Sequence, residues 1–152
     1  ILFLHYTMFY ECLENLTTDE QLALWLPKAR DLKIMGCYAQ TEIGHGTDVA
    51  SLETTATFDK STDEFIIHTP SITAIKWWPG EMGGFTNYAI AYAGLIIDSK
   101  NYGIYPFLVQ IRDLNTHMPM KGIKCGDIGP KLGSNSKDNG WLSFDQVRIP
   151  RK

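Results

Sequence analysis

Two glycine-bearing stretches contain residue types that can bind a ligand through the backbone. The first, TEIGHGTD over residues 41–48, separates two alternating stretches and places Thr41 and Thr47 beside Gly44 and Gly46. Glycine lets backbone N–H groups approach a ligand closely, so main-chain donors could hold an anionic or planar group here. The third glycine of a dinucleotide fingerprint and the end of a P-loop are both missing. On pattern alone, a surface loop or a wide bulge without a ligand is the alternative.

The second stretch, AIKWWPGEMGGF over residues 74–85, has two adjacent tryptophans before a Pro-Gly pair. Neighbouring residues of a strand face opposite sides, so Trp77 and Trp78 cannot both enter one core. One indole could therefore lie on a ring-shaped ligand, with Gly80 bringing a backbone N–H to it. In the alternative, one tryptophan is in the core and the other packs under a loop. A long, basic, glycine-bearing stretch over residues 126–144 is either a functional surface loop or a flexible connection.

The elements that position these stretches are helical first and extended afterwards. Thr18 and Gln21 form a capping box before a buried stripe, and Pro27 predicts that this helix ends near Leu26. From residue 34 the apolar period changes to two, which predicts five to seven strands. Residues 51–59 and 65–69 read as a hairpin, and Pro106 indicates an edge strand or a bulge. The predicted fold is mainly β, an antiparallel barrel or sandwich preceded by one or two α-helices.

Composition excludes several classes of protein. The net charge of −3 argues against a nucleic-acid binder, and no apolar run reaches the roughly 20 residues of a membrane span. The three cysteines lack CxxC spacing and the four histidines lack ligand spacing, so no metal site is expected. The chain lacks an initiator methionine and ends without a closing helix, which suggests a piece of a longer protein.

Several blocks in this order resemble the peroxisomal acyl-CoA oxidases, which belong to the wider acyl-CoA dehydrogenase superfamily. The blocks are GCYAQTEIGHGTDVASLETTATFD, KWWPG, GDIGPKLG and DNGWLSFDQVRIPR, and the likeness covers roughly residues 16–152. The resemblance implies that residues 1–33 end an N-terminal helical domain and that residues 34–152 form a central, flavin-binding β-domain.

The resemblance also implies a cofactor, FAD, and a set of residues that bind it: Gln40, Thr41, Gly46, Thr47, Trp77 and Gly80. The implied reaction is α,β-dehydrogenation of a fatty acyl-CoA to the trans-2-enoyl-CoA, with O2 reduced to H2O2. The catalytic base of this family is a glutamate in a C-terminal helical domain, so no catalytic residue is expected in this chain. By position, Glu42 and Glu53 are not candidates, and the chain alone is expected to be inactive.

The implied partners are a fatty acyl-CoA, molecular oxygen and a second copy of the full-length protein, in the peroxisome. Dehydrogenases of the superfamily carry a Trp-Ile-Thr block whose hydroxyl bonds the flavin, and here Gly80 ends the corresponding WWPG block. This departure favours an oxidase over a dehydrogenase that uses an electron-transfer flavoprotein. A non-catalytic β-domain, acting as a scaffold or binding module, is the third alternative.

Overall fold

The computed structural model describes residues 2–152. The first helix has π-helical hydrogen bonding over His5–Tyr10 and continues as α1, Glu11–Leu16; α2 is Asp19–Arg30. A short 3-10 turn spans Val49–Ser51. Nine strands follow within residues 2–152: β1 Gly36–Ala39, β2 Thr55–Asp59, β3 Glu64–His68, β4 Lys76–Gly80, β5 Tyr88–Ile97, β6 Lys100–Gln110, β7 Ile123–Asp127, β8 Asn139–Phe144 and β9 Val147–Pro150. No helix in this part of the chain is long and apolar enough to cross a membrane.

The strands form two sheets that stack in a sandwich, with the helices as a third layer. The larger sheet has the order β1-β5-β2-β3-β9, and β6 also pairs with β5; the smaller sheet has the order β4-β8-β7. One buried cluster joins the two sheets, and a second joins the larger sheet to the helices. The mainly β fold class is therefore confirmed, with helices before the strands.

The central strand β5 shows how the sequence specifies these layers. Its alanines Ala89, Ala91 and Ala93 alternate along the strand and face the core between the sheets. Tyr88 and Ile90 point the other way and pack against the helices. Small side chains on one face let the sheets approach, while large ones on the other face fill the space beneath the helices. This explains why the strand is apolar at almost every position.

Helix α2 begins as the sequence predicts but ends later. Both bonds of the capping box are present, since Thr18 Oγ1 accepts from the Gln21 amide and the Gln21 side chain accepts from the Thr18 amide. The prediction that the helix ends near Leu26 is wrong, because Pro27 lies inside it and the helix continues to Arg30. Pro27 has no N–H to donate to the carbonyl of Ala23, four residues earlier. Because Ala23 and Pro27 are both exposed, this carbonyl is on the solvent side of the helix.

The strand pairings also differ in part from an antiparallel framework. The predicted hairpin of β2 and β3 is confirmed as an antiparallel pair, whereas β1 and β2 both run parallel to β5. The stretch WLSFDQVRIP contains the end of β8 and all of β9, which lie in different sheets. Pro106 lies in β6, opposite Tyr92 of β5. Within residues 2–152, β6 pairs with β5 and with no other strand, so the prediction that Pro106 lies on an edge strand is confirmed.

The two parallel strands share one edge of β5, and this explains the break in the sequence between them. β1 pairs with residues 88–91 of β5, and β2 pairs with residues 94–96. The chain therefore leaves the sheet after β1, forms the loop of residues 40–54, and returns to the same edge further along. Tyr92 and Ala93 are left without a partner strand on this edge.

Gly36 is the position where the helical layer comes closest to β1. A Cβ atom added to Gly36 would collide with the ring of Phe9, which is fully buried. We expect Gly36→Val to lower the free energy of unfolding by about 1–3 kcal/mol, because overpacking must displace the ring or the helix. Chemical denaturation of the protein that contains this chain measures this. Gly133→Ala is the matched control, since nothing lies within 4 Å of its added Cβ. Equal effects of the two substitutions would contradict the prediction.

Candidate functional site

The loop after β1 is fixed at its base by a buried ion pair. Lys76 Nζ lies 2.8 Å from Glu42 Oε1, and neither side chain is exposed to solvent. Glu42 lies three residues after the end of β1, and Lys76 begins β4 of the smaller sheet. The two residues also form an isolated antiparallel bridge. The pair thus joins the loop after β1 of the larger sheet to β4 of the smaller sheet.

The ammonium group of Lys76 has a partner for each of its three protons. It donates to Glu42 Oε1, to the Gln40 carbonyl at 3.1 Å and to the Tyr92 carbonyl at 2.6 Å. The last bond occupies the gap in the β5 edge between β1 and β2. Burial lowers the pKa of Lys76 from its ordinary value, and the charge of Glu42 opposes this shift. Three acceptors around the group favour its charged form.

The carboxylate of Glu42 closes the other end of the loop. Oε2 accepts from the Glu53 amide at 2.8 Å, and Oε1 accepts from the Thr54 amide at 3.0 Å and from the Thr54 hydroxyl at 2.6 Å. The residues that leave the sheet and those that return to it are therefore bonded to one side chain. A buried carboxylate with this many donors is well compensated.

The pair brings Gln40 and Thr41 against Trp77. The Trp77 amide donates to the Thr41 carbonyl at 2.9 Å, and Lys76 bonds Gln40 as described. We call residues 40–42 and 76–78 the β1–β4 junction. Within residues 2–152, neither the amide nor the hydroxyl of Thr41 has a hydrogen-bond partner. The indoles of Trp77 and Trp78 are 37% and 54% exposed beside it.

Gly80 lies at the end of the same strand, roughly 10 Å beyond Trp77 at the usual rise of a strand. It is buried, and a Cβ atom added to it would collide with Leu4 and approach Lys137 Cε at 2.8 Å. The side of Gly80 where a side chain would point is therefore filled by protein atoms. The next residue, Glu81, accepts from the Leu4 and His5 amides and from Lys137 Nζ, so this end of β4 is bonded to the first helix.

Gly46 and Thr47 lie apart from the other candidates, at the exposed tip of the loop. No hydrogen bond within residues 2–152 joins them to Gln40, Thr41 or Trp77. Nothing lies within 4 Å of a Cβ atom added to Gly46, so its lack of a side chain is not required by packing. Four of the six predicted residues thus lie on the two strand ends, and two lie on the connecting loop.

A second group of bonds ties this loop to residues 71–75. Glu53 accepts from Ser71 Oγ at 2.7 Å and Thr73 Oγ1 at 3.0 Å, and its other oxygen lies 3.0 Å from His45 Nε2. The Gly44 amide donates to the Thr73 carbonyl at 2.9 Å, where an added Cβ would crowd that residue. The hydroxyl of Ser71, then that of Thr73, lowers the pKa of Glu53 from its ordinary value. Gly44 is therefore needed for the close approach of this loop to residues 71–75.

Glu42, His45 and Glu53 place one ligand-type atom each within 4.8 Å of one another. The carboxylates already accept from Lys76, Thr54, Ser71 and Thr73, and His45 is bonded to Glu53. These contacts explain why the three residues lie together: their hydrogen bonds hold the loop in place.

The β1–β4 junction suits a planar group that accepts hydrogen bonds. Thr41 offers an unpartnered amide and hydroxyl, and the neighbouring indoles offer apolar walls. A groove of about 940 Å3 lies between α2, β6 and β9, and none of the six candidate residues lines it. We place the site at the junction because free donors and exposed rings meet there.

Sequence reasoning missed the two charged residues that organise the junction. Lys76 follows an apolar alternating stretch, and Glu42 sits between Thr41 and Ile43 in the interrupted region. A lone charge of each sign inside apolar surroundings was the available signal, since buried charges are almost always paired. Trp78, which is more exposed than Trp77, is a further candidate for contact with a ligand.

Comparisons with known proteins find relatives of this chain. Residues 1–35 match the family model described as acyl-coenzyme A oxidase N-terminal. Peroxisomal acyl-coenzyme A oxidase 1 of Arabidopsis thaliana is 54% identical over 151 residues, which cover 97% of this chain and 23% of that protein.

Two solved structures from Caenorhabditis elegans have the same fold. Acyl-CoA oxidase-1, complexed with FAD and ATP, is 52% identical with a TM-score of 0.96, covering 99% of this chain and 23% of that chain. Acyl-CoA oxidase-2, bound with FAD, ascaroside-CoA and ATP, is 50% identical with a TM-score of 0.96 and the same coverage. The three-layered fold is thus the one found in the corresponding segment of these acyl-CoA oxidases. This chain belongs to the acyl-CoA oxidase family, and it spans about a quarter of the length of these relatives.

The tie at Glu53 predicts a pH dependence of the loop. The folded-state pKa of Glu53 lies below the ordinary value of 4.5, so its ionised form contributes stability above that value. The contribution is lost as the pH falls below 4.5 and through the folded-state pKa. Ser71→Ala removes the main cause of the shift and should raise the pKa of Glu53 in a carboxyl NMR titration. Ser51→Ala, an exposed change in the same loop, serves as the control. An unmoved Glu53 titration in the Ser71 variant would refute the assignment.

The buried pair predicts a large loss of stability when one partner is removed. Lys76→Met leaves Glu42 as an uncompensated buried carboxylate, and we expect a loss of about 3–5 kcal/mol in the free energy of unfolding. Adding Glu42→Gln removes that charge and should restore part of the loss. Denaturant titrations of the wild type and the two variants measure both steps. A double variant less stable than Lys76→Met alone would show that the charge of Glu42 is not the cause.

Proposed function

We propose that the full-length protein containing this chain is an acyl-CoA oxidase. It catalyses FAD-dependent α,β-dehydrogenation of fatty acyl-CoA to trans-2-enoyl-CoA and reduces O2 to H2O2 in peroxisomal fatty acid β-oxidation. Membership of the acyl-CoA oxidase family supports this proposal, as do the FAD and ascaroside-CoA complexes of the worm relatives and the peroxisomal name of the Arabidopsis relative. The observation that carries it is the β1–β4 junction, where the free donors of Thr41 meet two exposed indoles.

The domain organisation and the cofactor-binding residues are part of the same proposal. Residues 1–33 end a helical domain and residues 34–152 form the β-domain, and the family model over residues 1–35 supports a boundary near this point. The residues assigned to FAD are those predicted from the sequence: Gln40, Thr41, Gly46, Thr47, Trp77 and Gly80. The proposed assembly is a homodimer.

The residues of the junction have distinct roles in this proposal. When bound, FAD supplies the acceptor for the two electrons removed from the acyl chain. Thr41 presents its amide and hydroxyl to the ring, and such fixed donors stabilise developing negative charge without reorganising. The indole of Trp77 covers an apolar ring face and excludes water from it.

The base that takes the α-proton is assigned to a residue outside this chain. Glu42 is buried and paired with Lys76, so its carboxylate is not accessible to a substrate. Glu53 accepts hydrogen bonds from Ser71 and Thr73 and has a lowered pKa, which makes it a weak base. Neither Glu42 nor Glu53 is therefore proposed as the catalytic base.

We expect the purified full-length protein to show the visible spectrum of a bound flavin and to release peroxide from palmitoyl-CoA under air. A coupled peroxidase assay and the absorbance of the enoyl-CoA product measure the two products in equal amounts. Turnover on an artificial electron acceptor without peroxide would instead indicate a dehydrogenase. A colourless protein that takes up no added FAD would indicate a non-catalytic scaffold. Arg148→Ala, which removes a surface contact with Asp59 and Glu64, is a control expected to leave both products unchanged.

A further inference from the structure

Glu42 and Lys76 occupy the positions that flank the proposed flavin contacts in both strands. After β1, Gln40 and Thr41 are followed by Glu42. In β4, Lys76 is followed by Trp77. Lys76 is bonded to the Gln40 carbonyl and to Glu42, so it is tied to the residues on both sides of Thr41. The Thr41–Trp77 hydrogen bond is thus held from within by the ion pair.

We propose that Glu42 and Lys76 are a positioning pair that sets the spacing of Thr41 and Trp77 and thereby the affinity for FAD. This inference rests on the proposed function. Neither side chain is exposed, so neither contacts the cofactor, and both act through the backbone of the β1–β4 junction. A misplacement of about 1 Å can cost an enzyme about 100-fold in rate, so a device that fixes the junction has a direct functional consequence.

The choice of charged residues supports a positioning role over simple stabilisation. A well-packed apolar pair often stabilises a protein as well as a buried ion pair does. An apolar pair, however, has no donor for the carbonyls of Gln40, which directly follows β1, and of Tyr92 in β5. Lys76 bonds both carbonyls from the smaller sheet and so fixes the two sheets relative to each other at the site.

The test compares three variants of the full-length protein with the wild type. Lys76→Met removes the ammonium, and Lys76→Met with Glu42→Gln removes both charges. Ile67→Ala, in the fully buried core away from the junction, is the control for lost stability. Two quantities are measured: hydrogen exchange of the peptide containing Trp77 in flavin-free protein, and the FAD dissociation constant of the apoprotein by fluorescence titration.

A positioning pair predicts that stability and cofactor affinity separate. The double variant should regain stability over Lys76→Met, yet keep faster exchange at Trp77 and about tenfold weaker FAD binding. Ile67→Ala should lose stability while its FAD affinity and Trp77 exchange stay at wild-type levels. FAD affinity that recovers with stability in the double variant would overturn the inference, as would unchanged exchange at Trp77.

The same experiment separates this inference from the proposed function. Wild-type apoprotein that binds no FAD removes the proposed function, and with it the link from the pair to affinity. In that case the exchange measurement still decides whether the pair holds the junction, because it is made without flavin. Wild-type protein that binds FAD, with variants that bind it equally well, overturns the inference and leaves the proposed function intact.

Discussion

The fold depends on how it closes a gap in its central sheet. β1 and β2 share one edge of β5, and between them the Tyr92 carbonyl has no partner strand. An unpaired buried carbonyl is costly, and here the ammonium of Lys76 satisfies it from the other sheet. Glu42 neutralises the charge of the Lys76 ammonium. The carboxylate of Glu42 also accepts from the amides of Glu53 and Thr54, where the chain returns to the sheet. The ion pair is therefore a consequence of the interrupted strand, and it is compensated because the interruption supplies its partners.

The two ends of β4 are fixed by different buried carboxylates. At the start of the strand, Glu42 and Lys76 join it to the loop after β1. At the other end, Glu81 accepts from the Leu4 and His5 amides and from Lys137, which joins the strand to the first helix. The β1–β4 junction contains the first of these ties, and the second lies just beyond the far end of β4. A site that binds a ligand through the backbone requires such rigidity, because backbone donors have no rotamers with which to adjust.

Local patterns predicted most of the local structure, apart from the end of α2, and the errors in strand pairing lie where distant parts of the chain decide. The capping box of Thr18 and Gln21, the β2–β3 hairpin and the edge position of Pro106 depend on neighbouring residues or on one chemical property. The parallel pairing of β1 and β2 with β5 depends on segments about 40 to 50 residues away, which periodicity does not report. Type and spacing singled out Thr41 and Trp77 as candidates, and the structure joins these two residues by a hydrogen bond. The pairing of Glu42 with Lys76 is a tertiary contact and needed the structure.

The backbone of Trp78 explains how two adjacent tryptophans can both remain outside the core. Trp78 has a φ of 55°, a left-handed conformation that is unfavourable for a bulky residue, and the register of β4 against β8 shifts between Trp77 and Gly80. The strict alternation of a strand, which would send one indole inward, is therefore broken at this point. The Asn139 side chain donates to the Trp78 carbonyl at 2.9 Å and helps to hold this conformation. Strain of about 1–2 kcal/mol persists only where surrounding contacts over-determine it, and such residues concentrate at binding sites. The strained residue lies within the β1–β4 junction and directly follows Trp77, whose amide is bonded to the Thr41 carbonyl, so the exposure of both indoles is a consequence of the backbone at this point.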